Sequence, residues 1–136
     1  MFTFGREKEK QSALYYLSTK DPEKQLVLDM VDTIHDFLEN KSSEDELRSA
    51  LTQSFTRTAG GGWEQTGTWL RKLSKHYPSF ESMWVELAQH EDSKVRYRVA
   101  CHLDDMPEGI ASQVYEKLKA DKSKKVREMA EIRRNA

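Results

Sequence analysis

The side chains best suited to chemistry fall together in one stretch, HEDSKVRYRVACHL, residues 90–103. It holds His90, Glu91, Asp92, Cys101 and His102, residue types that bind metals, move protons or attack carbonyls. Their spacing does not assemble a site. These two histidines, with His35 and His76, make no metal-ligand spacing with one another or with Cys101. Cys101 and His102 are adjacent, so on a helix they point about 100° apart and cannot act as nucleophile and base together. Gly60-Gly61-Gly62 lacks the Lys-Ser/Thr that would complete a phosphate loop. No catalytic residue, metal site or cofactor is expected, and the chain reads as a non-enzyme.

What positions these residues is helical. Low Pro and Gly content with abundant Glu, Lys, Leu and Ala favours helices, and no alternating β-branched run is long enough for a strand. A weakly amphipathic helix is predicted over 6–19. A second is capped by Asp21, with Pro22 at its first position, and carries Val27, Met30, Val31, Ile34, Phe37 and Leu38 up to Asn40. Ser43 and Glu46 form a capping box for a third, with Leu47, Ala50, Leu51 and Phe55 facing in. A fourth covers 63–76 and stops at Tyr77-Pro78. Ser79 caps a fifth with the stripe Phe80, Met83, Trp84, Leu87 and Ala88. Three more follow, over 95–103, from Pro107, and from Val126. The length suits a single helical domain, with 1–58 and 63–136 joined at Gly60–Gly62 as a flexible hinge.

The opening stretch is echoed by DKSKKVREMAEI, residues 121–132. At an offset of 31 residues Val95 falls on Val126, Arg96 on Arg127, Met83 on Val114, Trp84 on Tyr115 and Leu87 on Leu118. The repeating unit is therefore a helix pair, the mark of a stacked α-solenoid. Asp-Ser-x-Val-Arg followed by Val99, Ala100 and Leu103 resembles the HEAT-like repeat, in the short form of bilin-lyase-type proteins, over about residues 63–136. The resemblance implies an all-α, right-handed α-solenoid of about eight short helices. It also implies that Asp92, as the turn acid, and Arg96 and Arg127 tie neighbouring repeats together.

Charge carries the functional expectation. A formal net charge of -1 gives no overall bias towards nucleic acid or membrane, and no run of about 18 apolar residues is present. Asp29, Asp32, Asp36 and Glu39 lie within an arc of about 80° on the second helix, opposite its apolar face. A one-signed stripe costs repulsion, as between Asp32 and Asp36, and a basic partner is one reason to keep it. Glu81 and Glu86 on the fifth helix are a second acidic pair. The expected function is a non-catalytic protein-binding module in the cytoplasm, monomeric on its own. By size and charge it resembles bacterial toxin-immunity proteins, including those of contact-dependent growth inhibition. That resemblance implies a basic toxin domain as partner, a nuclease for example, occluded at its active site. Alternatives are a nucleic-acid-binding HEAT-like protein, disfavoured by the acidic half, and a small assembly chaperone, scaffold or bilin-lyase-type enzyme.

Overall fold

The computed structural model describes residues 5–17 and 20–136, and these form eight α-helices with no strand among them. They are α1 (Arg6–Tyr16), α2 (Lys24–Leu38), α3 (Glu44–Arg57), α4 (Gly60–His76), α5 (Ser82–Leu87), α6 (Ser93–Ala100), α7 (Glu108–Leu118) and α8 (Lys124–Arg134). Short 3-10 turns at Pro78–Glu81 and Leu103–Asp105 lead into α5 and follow α6. The chain divides into two compact units, Met1–Leu70 and Arg71–Ala136.

In the first unit α1 and α3 each pack on α2. The α2 stripe Val27, Met30, Val31 and Ile34 is buried, as are Leu47, Leu51 and Phe55 of α3, so the two apolar faces form the core here. Ser43 accepts the Glu46 N–H at 3.1 Å while the Glu46 carboxylate accepts the Ser43 N–H, completing the capping box that starts α3. Asn40, at φ 61°, ends α2. Lys41 N–H bonds to Asp36 O and Asn40 N–H to Phe37 O, the Schellman pattern that satisfies the last carbonyls.

Three local expectations change. Asp21 does not cap α2, which begins at Lys24. It is buried, and its carboxylate accepts the N–H of Glu23 at 2.9 Å and of Ala59 at 3.1 Å, tying the entry of α2 to the exit of α3. Gly60–Gly62, expected as a joint outside the helices, form the first turn of α4. A Cβ on Gly61 would run into the Tyr16 carbonyl, and one on Gly62 into the Thr58 side chain at 2.6 Å, so these two glycines allow close approach. The fifth helix splits into the Pro78–Glu81 turn and α5, because Pro78 favours a tight start. The predicted first helix ends at Tyr16, and residues 18 and 19 of that span lie outside the described residues.

In the second unit α5 and α6 form one helix pair and α7 and α8 another. Helix α5 packs on α7 and α6 on α8, so equivalent helices meet. The repeat positions Met83, Leu87, Val95 and Val99 are buried, and so are their counterparts Val114, Leu118, Val126 and Ala130. Trp84 is fully buried whereas its counterpart Tyr115 reaches the surface, where its hydroxyl donates to the Glu131 carboxylate.

Candidate functional site

Asp29, Asp32, Asp36 and Glu39 lie along α2 as the helical spacing predicts, but the stripe is not bare. Arg6 of α1 donates to Asp36 at 2.7 Å, to Glu39 at 3.2 Å and to Asp32 at 3.4 Å. Lys10, one turn further along α1, reaches Asp32 at 3.0 Å, and Lys41 reaches Glu39 at 3.5 Å. The repulsion read from the sequence is therefore offset within the unit. The pairing raises the pKa of Arg6, chiefly through its hydrogen bond to Asp36, and that of Lys10, chiefly through its hydrogen bond to Asp32. Only Asp29 of the four has no salt bridge among the described residues. It is exposed, and its carboxylate accepts from Gln25 at 3.0 Å.

Asp29 opens onto a groove between α2 and α3 of about 330 Å³. Leu26, Thr33, Ala50 and Gln53 line it, and Glu46 contributes a second carboxylate. Its lining mixes apolar Leu26 and Ala50 with the acid and amide groups of Asp29, Glu46 and Gln53, which suits the stem and head of a lysine or arginine. Glu81 sits in the 3-10 turn rather than on α5, and Glu86 is exposed on α5. Neither is salt-bridged among the described residues, and they lie in the second unit.

The stretch 90–103 is a structural joint. Arg96 is buried at 6 % exposure, and its guanidinium makes four hydrogen bonds. Nη1 donates to the carbonyls of His90 at 2.8 Å and Glu91 at 3.0 Å. Nε and Nη2 grip the two oxygens of Asp121 at 2.7 and 3.3 Å. One side chain thus fixes its own turn and binds the turn of the following helix pair, using the planar fork that lysine lacks. Burial works to raise the Asp121 pKa. The Arg96 hydrogen bond, the Ser123 N–H and the nearby charge of Arg96 outweigh it, and the carboxyl lies below its ordinary value.

Asp92 does not play the part that the resemblance implied. It is exposed and caps α6 by accepting the Lys94 N–H at 2.9 Å. The acid that meets Arg96 is Asp121, whose counterpart at the 31-residue offset is His90. His90 Nδ1 accepts the Asp92 N–H at 3.0 Å, as the Asp121 carboxylate accepts the Ser123 N–H at 2.9 Å. An imidazole and a carboxylate thus perform the same local task, which masks the equivalence in the sequence. Arg127 binds the carbonyl of Asp121 at 2.6 Å.

The other reactive types are dispersed. His102 is buried against Trp84, with ring centroids 5.5 Å apart. Burial pushes its pKa down, with Asp105 and Asp104 offsetting only part of the shift. Among the described residues no group of three or more His, Cys, Asp or Glu is placed to hold a metal ion. No described helix is long and apolar enough to cross a membrane. The chain matches no family model, no curated protein and no solved structure.

Proposed function

We propose that the protein is a non-catalytic protein-binding module that takes a basic partner through the acidic side of its first unit. The observation that carries this reading is the α2–α3 groove, where the Asp29 carboxylate and that of Glu46, which also accepts from Ser43, lie beside apolar Leu26 and Ala50. Residues 1–70 hold twelve acidic against eight basic residues, so the surrounding field also favours a cationic surface. The α2 stripe supports the same chemistry indirectly, since it already binds a guanidinium and an ammonium from α1.

The partner class that fits is a basic toxin domain, with this chain as its immunity protein, occluding a phosphate-binding active site with carboxylates. The helix pairs of residues 71–136, joined by Arg96 and Asp121, fit a short HEAT-like α-solenoid that serves as scaffold. Binding of nucleic acid is less favoured, because the acidic first unit would repel phosphates and, in the second unit, Arg133 and Arg134 are already engaged with Asp104 and Glu108. The test is affinity capture from an extract of the source cells at low ionic strength. A basic protein should be retained stoichiometrically and released as salt rises. Retention of duplex DNA instead, or of no protein, contradicts the reading.

A further inference from the structure

The two turns of the second unit are built alike but are not equally filled. In the first, His90 Nδ1 takes the N–H two residues on, and Arg96, six residues on, returns Nη1 to the His90 carbonyl. In the second, Asp121 takes the N–H two residues on, and Arg127, six residues on, returns Nη1 to the Asp121 carbonyl. The same atom of each arginine is spent on its own turn. The other edge of Arg96, Nε with Nη2, holds the carboxylate that the next helix pair presents. The corresponding edge of Arg127 makes no hydrogen bond or salt bridge to any described residue, and the side chain is half-buried rather than splayed into solvent. Lys122, in that turn, and Lys125, at the start of α8, are exposed and also form no salt bridge among the described residues.

We infer that Arg127 is a carboxylate socket, which receives an aspartate from a helical turn of an acidic partner protein in the geometry that Arg96 uses for Asp121. The chemistry is set by what remains of the guanidinium. One N–H is anchored to a backbone carbonyl, and two parallel donors are left, a match for the two oxygens of one carboxylate. Lys122 and Lys125 add positive charge that favours an acidic segment. This surface is opposite in sign to the α2–α3 groove and does not depend on the function proposed for it.

A labelled peptide copying residues 107–123 of this chain, which contains the Asp121 turn, serves as probe. It is titrated into the full-length protein at low salt and followed by fluorescence anisotropy. Saturable binding is expected, at least about tenfold weaker when the peptide carries D121N, because a neutral amide cannot pair with both donors. R127Q in the protein should weaken binding by a similar factor. The D121N comparison uses unaltered protein, so it holds even if R127Q lowers stability. Equal binding of the two peptides, or no saturable binding, overturns the inference.

Discussion

At the scale of single residues, the least replaceable side chain is Arg96. Arg96→Ala removes four hydrogen bonds and leaves Asp121, whose side chain is 7 % exposed, without its counter-ion. Breaking a buried pair by deleting one partner costs about 3 kcal/mol or more, and thermal unfolding should show it as a lowered Tm. An unchanged Tm would mean that the joint is not structural. His102 supplies a pH dependence. Its folded pKa lies below the unfolded value of about 6.5. Above that pH both states are neutral and the group contributes nothing to the slope. Below it the unfolded chain takes the proton first, so stability falls as pH drops towards the folded pKa. Tm measured between about pH 7 and 5 should therefore decline, and His102→Gln should flatten that decline. Asp121, with its pKa depressed, acts in a lower window. Its stabilisation is present above about pH 4 and is lost as pH falls through the folded value. Arg96 was legible in the sequence because it is repeated at Arg127. Its partner was not, because the acid at Asp121 is a histidine in the other copy and Asp92 stood closer to the motif.

At the scale of elements, helix α1 is held differently from the rest. It buries only Glu9 and Ala13, and leaves Leu14, Tyr15 and Tyr16 exposed. Its C-terminal end is fastened at α4, where Gln65 donates to the Ala13 carbonyl at 3.1 Å and Gly61 admits the Tyr16 backbone. Its N-terminal end rests on the Arg6 and Lys10 ion pairs with α2. Those pairs are partly solvated and are screened by salt. Hydrogen exchange should show α1 amides losing protection on Arg6→Ala with Lys10→Ala, or at high salt, while α2 and α3 keep theirs. Uniform protection across the three helices would contradict this. The helices themselves could be read from periodicity, since α2, α3 and α7 carry clean apolar stripes. The role of Gly61 could not, because close approach of the Tyr16 backbone is a tertiary fact that leaves no local pattern. The same holds for the stripe. One helix shows four acids on one face, but the cations that meet three of them come from a distant segment.

At the scale of the whole molecule, the two units differ in charge and in construction. Residues 71–136 hold fourteen basic against eleven acidic residues, the reverse of residues 1–70. The second unit is two copies of one helix pair, locked by an arginine and an aspartate, and its sequence shows why. The first has no repeat signature, and its acidic groove becomes visible only once α2 and α3 are packed. On the proposed function, structure and recognition fall to different residues, Arg96 to the former and Asp29 to the latter. The most direct test measures partner affinity and Tm together for two variants, Asp29→Lys and Arg96→Ala. Asp29→Lys should leave Tm unchanged and weaken capture of the basic partner by about tenfold or more at low salt, the scale of a lost interfacial charge pair. Arg96→Ala should lower Tm and, below its melting range, bind the partner as the unaltered protein does. Full affinity in Asp29→Lys, or lost affinity at unchanged Tm in Arg96→Ala, would contradict that assignment.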